Sequence, residues 1–259
     1  MRTISFLNIK GGVGKTTCSF NIAVGLADKG NRVLLIDLDP QGNTSSIFMG
    51  ENPELSITEL MRGVWDNADI KTMDVAKKVS DNLWLIPSTL ELSILDTQLK
   101  LDSLKPQHNV LERILRQVAD DFDYCIIDSG PIMNLLAVNA IIASNLLVIP
   151  IKPDKFAISG FTITVKTINE IKQNFSLDLD YKILFTIVNR NNDERDIIAA
   201  VRSLVGNKKV FSSQIRNQAK AVVAASTNNK LVIRDSAGVS QDLLNVVSEL
   251  EEGFINGAK

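Results

Sequence analysis

The residues best suited to chemistry lie close to the amino terminus, where positions 8–17 read NIKGGVGKTT. The glycines let backbone N–H groups face an anion at the start of the next helix, where the helix dipole adds positive potential. Lys15 is then placed to reach the β- and γ-phosphates of a nucleotide, and the Thr16 hydroxyl to ligate Mg²⁺. The predicted nucleotide contacts are Gly11, Gly12, Val13, Gly14, Lys15, Thr16 and Thr17.

The loop departs from the strict GxxxxGK[ST] pattern at two neighbouring positions. Ile9 stands where the pattern has its first glycine, and Lys10 adds a second lysine ahead of Lys15. A glycine-rich turn with incidental lysines is the alternative interpretation, but a complete GKTT between a predicted strand and a predicted helix disfavours it. An ordinary phosphate loop gives Lys10 no role, so this residue needs a separate explanation.

Carboxylates follow two more predicted strands, in DLDPQGN at positions 37–43 and in CIIDSGP at positions 125–131. Asp37 and Asp39 are two residues apart, so both project to the same face of a strand. Asp128 ends an apolar run, as expected of a residue that holds Mg²⁺ through water. A turn or capping role is an equally good interpretation of Asp128 by itself. Because GKTT, the DxD pair and Asp128 all follow strands, we expect them to converge on one face.

An alternation of strands and helices must position these residues. Short apolar runs, of the kind buried on both faces in parallel sheets, predict strands at 3–7, 32–37, 83–86, 124–128, 146–151 and 183–188. Helical periodicity occupies 16–29, 90–100, 110–119, 135–143 and 158–171. The alternation predicts an α/β fold with a doubly wound, mostly parallel sheet flanked by helices, and ligands beyond the carboxyl ends of its strands. Residues 51–80 are the least regular, and we interpret them as a helical surface excursion.

Composition limits the classes of protein to which the chain can belong. With 45% hydrophobic and 22% charged residues and a formal net charge of −2, it is ordinary for a soluble globular protein. That balance predicts no global attraction to nucleic acid or to an acidic membrane, so either partner would need a local patch. We expect one domain over 1–259, in the cytoplasm, because neither a signal peptide nor a membrane-spanning run is evident. Cys18 and Cys125 lie in apolar segments, where cysteine is usually a buried structural residue.

The combination of KGGVGKTT, the second aspartate of DLDPQGN and an apolar strand ending in Asp128 resembles the ParA/Soj group of deviant Walker ATPases, relatives of MinD and the nitrogenase iron protein. The similarity extends through VIPIKPDKFAISG at 148–160 and VFSSQIRNQAKAV at 210–222. The resemblance implies a P-loop ATPase that uses ATP and Mg²⁺ and forms an ATP-dependent sandwich homodimer with nucleotide at the interface. It also implies a ParB-like, centromere-binding partner that stimulates slow hydrolysis.

Roles for individual residues follow from the same resemblance. Lys10 matches the signature lysine, which reaches phosphates bound by the other subunit. Asp39 matches the hydrolytic aspartate that positions the attacking water. Asp37 and Asp128 match the magnesium shell or its support, beside Thr16. A lysine supplied by a second subunit would make hydrolysis depend on dimerisation.

Two positions depart from the group's pattern. Ser129, Gly130 and Pro131 stand where relatives often have two prolines. Ile9 stands where many partition ATPases have glutamine. The first departure falls beside Asp128, so it weakens the assignment of a switch loop there.

Asn189 is the candidate for contact with the adenine base. It follows the predicted strand 183–188, and its amide offers the paired donor and acceptor that an adenine edge needs. A turn residue in NRNND is an equally good interpretation.

Positive charge is concentrated in residues 190–234, which contain nine basic and three acidic residues, whereas 235–252 contain five acids and no base. A patch with a single aromatic residue suits sequence-independent contact with phosphates. The resemblance to Soj-type proteins, whose ATP dimers bind DNA without sequence preference, favours non-specific DNA and a nucleoid-associated location. The candidate DNA contacts are Arg202, Arg216 and Lys220. A solvated basic face is the alternative.

Other functions found among these relatives fit the sequence less well. A MinD-like membrane switch needs a basic amphipathic C-terminal helix, whereas the tail at 242–254 has an acidic polar face that anionic lipid would repel. An iron–sulfur reductase needs paired surface thiolates, which the two cysteines are not placed to supply. We expect no helix-turn-helix, because the loop begins at residue 10. Positioning of a protein cargo, rather than a plasmid or chromosome, stays open.

Overall fold

The computed structural model describes residues 1–49, 53–102, 104–189, 191–218, 231–235 and 237–256. The strands are β1 (Arg2–Phe6), β2 (Val33–Leu38), β3 (Lys77–Ser80), β4 (Leu83–Ile86), β5 (Tyr124–Ser129), β6 (Leu146–Ile151) and β7 (Asp180–Phe185). They form a seven-stranded sheet in the order β3-β4-β2-β5-β1-β6-β7. The edge strand β3 pairs antiparallel with β4, and the other neighbours pair in parallel.

Helices cover both faces of this sheet, which confirms the doubly wound α/β fold. They are α1 (Lys15–Asp28), α2 (Asn43–Met49), α3 (Ile57–Trp65), α4 (Thr72–Val75), α5 (Glu91–Leu101), α6 (Val110–Arg116), α7 (Leu135–Ile142), α8 (Ala157–Phe175), α9 (Asn192–Val205), α10 (Val232–Asp235) and α11 (Ala237–Asn256). One core lies between the sheet and α1, α10 and α11, and a second lies between the sheet and α3, α5, α6 and α7. Within the described ranges, no helix combines the length and the apolar character needed to cross a membrane.

The central strands are buried along their whole length, as their continuous apolar sequences predict. Every residue of β2, β5 and β6 is buried. In this order β5 lies between β1 and β2, so the loops that follow these three strands emerge side by side. The register pairs Asp128 of β5 with Phe6 on one side and Asp37 on the other. The fold thereby brings the three predicted chemical elements to one edge of the sheet.

Helix α1 packs against the C-terminal helices α10 and α11. Gly25 lies at the contact, because a Cβ atom added there would be 2.7 Å from Ile233 Cδ1 and 2.8 Å from Val247 Cγ2. Such distances are too short for real side-chain carbons, so a side chain at position 25 would force Ile233 and Val247 to shift.

Two predicted elements differ from the observed ones. Strand β7 begins at Asp180 and ends at Phe185, earlier than the predicted 183–188, because Ile187 has a left-handed backbone (φ 56°) that a strand cannot include. The segment 51–80 contains helices, as predicted, but it is not a surface excursion, because α3 buries Ile57, Leu60 and Met61 in the second core. The segment also contains β3, whose sequence KKVS lacks an apolar run. Charged lysines are common on edge strands, where they discourage pairing with other chains.

Candidate phosphate-binding site

The loop between β1 and α1 has the backbone of an anion-binding turn. Gly12 and Gly14 adopt left-handed conformations, with φ of 70° and 81°, which residues with side chains rarely adopt. Among the described residues, no side chain caps the start of α1, so its first N–H groups face the loop. The loop is tied to the end of β7 by Thr186, whose hydroxyl donates to the Val13 carbonyl at 2.8 Å.

Lys15 is buried at the start of α1, with only 7% of its surface exposed. Its ammonium donates to the Lys10 carbonyl at 3.4 Å. Burial lowers the pKa of Lys15, while the carboxylates of Asp128 and Asp39 act in the opposite direction. A phosphate placed on the loop would therefore meet a lysine that has lost most of its water and needs an anion.

Asp37, at the end of β2, is fully buried and its oxygens are used within the protein. Ser45 donates to Asp37 Oδ2 from its backbone at 2.8 Å and from its hydroxyl at 2.7 Å, and the Asp39 backbone donates to Oδ1 at 3.2 Å. Burial raises the pKa of Asp37, and the neighbouring charge of Asp128 adds to that increase. Asp37 therefore fixes the start of α2 and the DxD loop.

Asp128 pairs in register with Asp37, and its two carboxylate oxygens differ in their hydrogen bonding. Thr44 donates to Asp128 Oδ2 at 2.7 Å, whereas Asp128 Oδ1 is buried with no hydrogen-bond partner in the described structure. Burial raises the pKa of Asp128, and hydroxyls of Thr44, Thr16 and Ser19 reduce the increase. An unpaired carboxylate oxygen beside a second buried carboxylate and a threonine hydroxyl suits a hard cation such as Mg²⁺.

Asp39 directly follows β2 and is 8% exposed. Its Oδ1 accepts from the Gln41 backbone at 3.0 Å. Gly130 packs directly against it, since a Cβ atom at position 130 would be 3.3 Å from Asp39 Oδ1. The departure at positions 129–131 is therefore next to Asp39, a contact that no local sequence pattern indicates.

A cavity of about 540 Å³ opens on the α5 and α7 side of Asp39. It is lined by Leu38, Asp39, Pro40, Gln41, Ser93, Asp96, Lys100, Ser129, Gly130, Pro131, Ile132, Asn134, Leu136 and Ala137. Ser129 contributes a buried hydroxyl that has no partner among the described residues. Asp96 and Lys100 form an ion pair at the wall. Asp39 therefore borders a half-open, mostly apolar space as well as the loop.

Lys10 does not lie over the phosphate loop. Its ammonium contacts both carboxylate oxygens of Asp154, at 2.7 and 2.6 Å, in the loop that precedes α8. Burial opposes ionisation of Asp154, but hydrogen bonds from Lys10 and the Phe156 backbone, together with the charges of Lys10 and Lys152, lower its pKa. In the sequence, Asp154 is only one residue of the stretch VIPIKPDKFAISG that resembles the ParA/Soj group, and no local pattern predicts its pairing with Lys10.

Asn189 lies near the loop, three residues after Thr186, but its amide is occupied within the chain. The Asn189 Nδ2 group donates to Glu194 at 2.7 Å, and Asn189 Oδ1 accepts from Asn217 at 2.8 Å. The turn interpretation of Asn189 accounts for these contacts without a nucleotide.

The candidate DNA residues are partly engaged with their own chain. Arg216 makes a bidentate pair with Asp242 of α11, with two nitrogen–oxygen distances of 2.7 Å, and 35% of its side chain stays exposed. Arg202 donates to the Phe211 carbonyl at 2.8 Å. Lys220 lies outside the described residues.

Both cysteines are buried. Burial raises the pKa of Cys18 to about 12, and it also raises that of Cys125. Thiols in this state are weak nucleophiles and weak metal ligands.

Comparison with known proteins shows the family from the sequence and the fold from the structure. A family model described as an AAA domain matches residues 1–183. The chain is 32% identical over 228 residues to the chromosome-partitioning ATPase Soj of Treponema pallidum, covering 87% of each chain. It is 31% identical over 239 residues to the sporulation initiation inhibitor protein Soj of Bacillus subtilis, covering 90% of this chain and 91% of that protein.

Among solved structures, a cobyrinic acid a,c-diamide synthase from Mycobacterium smegmatis with bound ATP analogue and magnesium superposes with a TM-score of 0.84. It is 25% identical, and the match covers 99% of this chain and 96% of that chain.

Proposed function

The chain belongs to the ParA/Soj family of P-loop ATPases, and from that premise we propose that it is an ATP-hydrolysing switch for plasmid or chromosome partition. The ATP-bound homodimer binds DNA without sequence preference, and hydrolysis stimulated by a ParB-like adaptor releases it. One ATPase domain spans 1–259, and the protein works in the cytoplasm on the nucleoid.

The observation that carries this proposal is the meeting of three strand ends at one edge of the sheet. The glycine loop and buried Lys15 follow β1, Asp39 follows β2, and Asp128 lies near the end of β5. An anion site and a carboxylate site in contact are what nucleotide hydrolysis needs, because its loose transition state depends on positioning and charge more than on covalent chemistry.

The residues present fit ATP with Mg²⁺, the pair found as ATP analogue and magnesium in the Mycobacterium smegmatis synthase. When bound, Mg²⁺ would supply positive charge that neutralises the phosphate oxygens. Thr16 and Asp128 would hold the ion, since Asp128 has the unpaired oxygen. Asp37 would support them from behind, because its own oxygens are already occupied by Ser45 and the Asp39 backbone.

Each remaining residue then has one task. The loop N–H groups and Lys15 bind the phosphates, with contacts from Gly11 to Thr17. Asp39 orients the attacking water, as a positioned carboxylate does in phosphoryl transfer. Lys10 of one subunit adds positive charge at the phosphates of the other, which stabilises the transition state and makes hydrolysis depend on assembly.

DNA binding is supported by the segregated charge of residues 190–234. In its described part, Arg195 and Lys208 are exposed, and Arg202 and Arg216 are half-buried. Contacts of this type bind phosphates and weaken as salt rises, because each contact releases condensed counterions. The pairing of Arg216 with Asp242 gives that residue a structural task as well.

The alternative is a switch that binds a membrane or a protein cargo. One observation opposes the membrane version: the apolar residues of α11 are buried against α1 and the sheet rather than presented to solvent. These residues are Leu243, Val246, Val247 and Leu250. Helix α11 therefore uses these apolar residues within the protein rather than on lipid.

Co-sedimentation separates these functions. The protein is spun with long random-sequence DNA or with anionic liposomes, in each case with ATP, ADP or no nucleotide. We expect ATP-dependent pelleting with DNA that is lost at high salt, and none with liposomes. Pelleting with liposomes but not with DNA would replace the partition function with the membrane one.

A further inference from the structure

Helix α5 is apolar on two opposite faces. Its inner face is buried in the second core, where its residues are Leu92, Leu95 and Leu99. Its outer face presents Leu90, Ile94 and Leu101, which are 68%, 56% and 81% exposed. A surface helix normally has one apolar stripe, which faces the core. The second apolar face of α5 therefore has no role in the packing of this chain.

The outer residues form one continuous stripe along the helix. With about 3.6 residues per turn, Ile94, Thr97 and Leu101 all lie within about 40° of the direction of Leu90. Leu90 precedes the first helical residue, but its backbone angles are already helical (φ −58°, ψ −26°). We call these four residues the outer stripe of α5. Within the described part of the chain, no other element covers it.

Polar side chains on and beside the outer stripe are already bonded within the chain. The Thr97 hydroxyl donates to the Ser93 carbonyl at 3.2 Å, and the Ser93 hydroxyl donates to the Leu90 carbonyl at 2.8 Å. On the flank, Lys100 forms an ion pair with Asp96. Another molecule can therefore cover this face without leaving these groups unpaired, which keeps the desolvation penalty small.

The outer stripe does not face the phosphate loop. Strand β4 runs parallel to β2, so its end at Ile86 lies at the edge of the sheet that also holds Asp39. Helix α5 begins at Glu91 and packs back over the face of the sheet. Its outer stripe, opposite the buried face, therefore points away from that sheet face. A contact made there differs from the contact across the nucleotide.

The pattern of the outer stripe matches a second copy of itself. A two-fold axis through the middle of the stripe would pair two α5 helices in antiparallel orientation. Leu90 would then pack against Leu101 of the second copy, and Ile94 against Thr97. Each end of the stripe is a leucine, so both ends of the pair would be closed by apolar contacts.

The charges beside the stripe also fit such a pair. Glu91 and Lys100 lie on opposite flanks of α5, because nine residues correspond to two and a half turns. Around the two-fold axis Glu91 would face Gln98 of the second copy, and Lys100 would face Ser93. The two Glu91 carboxylates, and likewise the two Lys100 ammonium groups, stay about 14 Å apart along the helices. Like charges therefore do not meet, and the uncharged stripe offers no counter-charge to a strongly charged partner.

We propose that the outer stripe of α5 is a self-association surface, on which two copies of the chain pair as antiparallel helices. One helix pair is smaller than a standard protein interface, so the contact is weak, with a dissociation constant of about 10⁻⁵–10⁻³ M. It requires no nucleotide. A chain that forms the ATP dimer at its loop edge keeps the outer stripe for this contact, and two separate two-fold contacts join dimers into larger assemblies.

The first test uses cross-linking of the full chain without nucleotide or DNA. Both native cysteines are buried, so a cysteine introduced at the surface is the one that reacts with a short bismaleimide. We expect Thr97→Cys, near the centre of the pair, to form cross-linked dimers several-fold faster than Ser203→Cys. Ser203 is an exposed position on α9 and reports random collision. Equal rates in the two variants would overturn the proposal.

The second test measures association of the nucleotide-free protein by sedimentation equilibrium up to millimolar concentration. Ile94→Asp should weaken association at least about 30-fold, because the two-fold contact would bury two carboxylates without partners. Ile163→Asp on α8 is the matched control, since Ile163 is 55% exposed, and it should associate like the wild type. A wild type that stays monomeric, or an Ile94→Asp variant that associates normally, would contradict the proposal.

The third test fixes the register of the pair and excludes misfolding as the cause of the loss. Thr97→Lys should also associate poorly by itself, whereas an equal mixture of Thr97→Lys and Ile94→Asp should recover association. In the mixed pair the new carboxylate lies against the new ammonium. No recovery in the mixture would overturn the antiparallel pairing. These measurements contain no ATP, so failure of the wild type to form an ATP dimer would overturn the proposed function and leave this contact unaffected.

Discussion

The floor of the site, formed by Asp37 and Asp128, and its rim, formed by Lys10 and Asp154, differ in how much water reaches them. Asp37 and Asp128 have no exposed surface and are register neighbours on β2 and β5. Lys10 and Asp154 each keep 30% of their side chains exposed, and they come from two loops. The two pairs also differ in sign, because the floor joins two carboxyl groups and the rim joins an ammonium to a carboxylate.

Burial decides what a change at each place can do. In the floor, burial raises the pKa of both carboxyl groups, the charge of Asp128 raises that of Asp37 further, and the charge of Asp39 raises that of Asp128, so ionising them costs free energy until a cation arrives. At the rim, opposite charges in partial water contribute about 0–1 kcal/mol and can separate and form again. We therefore expect floor substitutions to change stability and function together, and rim substitutions to change function alone.

The largest expected effect lies at Asp39, between floor and rim. Asp39→Ala should lower ATP turnover by about 10²- to 10⁴-fold, because it removes the carboxylate that orients water. ATP binding and dimerisation should persist, since Lys15 and the loop are unchanged. Phosphate release and nucleotide titration measure the two quantities. Asp123→Ala, at the opposite edge of the sheet, is the control, and wild-type turnover in Asp39→Ala would remove this assignment.

The next effect tests the rim. Lys10→Ala should still bind nucleotide within about threefold, but it should fail to form the ATP dimer and to hydrolyse ATP, because its charge acts across the interface. Its free energy of unfolding should change by at most about 1 kcal/mol. Sedimentation and urea unfolding check both statements, with Lys155→Ala as the neighbouring control. A large loss of stability would contradict the division into floor and rim.

A smaller effect tests the floor through pH. The pKa of Asp128 is raised to about 6, above the ordinary carboxyl value of the unfolded chain, so the folded state binds the proton more tightly. Stability of the nucleotide-free protein should therefore fall as pH rises from about 4 through about 6. Asp128→Asn should flatten this slope and gain about 1–3 kcal/mol near neutral pH while losing Mg²⁺-dependent turnover. Urea unfolding across this range measures it, and a steeper slope in the variant would contradict it.

The smallest effect concerns the basic segment, which lies away from both floor and rim. Arg195→Ala should weaken DNA binding a few-fold on all sequences and reduce the slope of log affinity against log salt by about 1. Arg216→Glu should weaken DNA binding too, but it also places a second acid beside Asp242 and should lower stability. Fluorescence anisotropy at several salt concentrations measures DNA binding by each variant. Unchanged binding in both variants would show that this surface does not contact DNA.

Sequence alone could predict the floor better than the rim, for a physical reason. Continuous apolar runs identified the central strands, and parallel strands deliver their carboxyl ends to one edge. These two rules are sufficient to predict from the sequence that Asp37 and Asp128 lie near the glycine loop. What it could not indicate is that only Asp128 keeps an unpaired oxygen, since this depends on Thr44 and Ser45 in α2.

The rim contacts join residues that are distant in the sequence. Lys10 and Asp154 are 144 positions apart, and neither belongs to a regular element whose period would indicate a partner. The approach of Gly130 to Asp39 likewise depends on how two loops fold over the sheet. Such loop contacts are set by tertiary placement, which local propensity does not encode. The sequence did not predict strand β3, because the strand prediction relied on apolar runs and an edge strand needs none.

The close packing at Gly25 has a consequence for how this protein can change over generations. Ile233 and Val247 fill the space that a side chain at position 25 would need. A larger residue at position 25 would need the Ile233 and Val247 side chains to move or to be replaced by smaller ones. We therefore expect residues 25, 233 and 247 to change together in evolution, although more than 200 residues of chain separate the first from the other two.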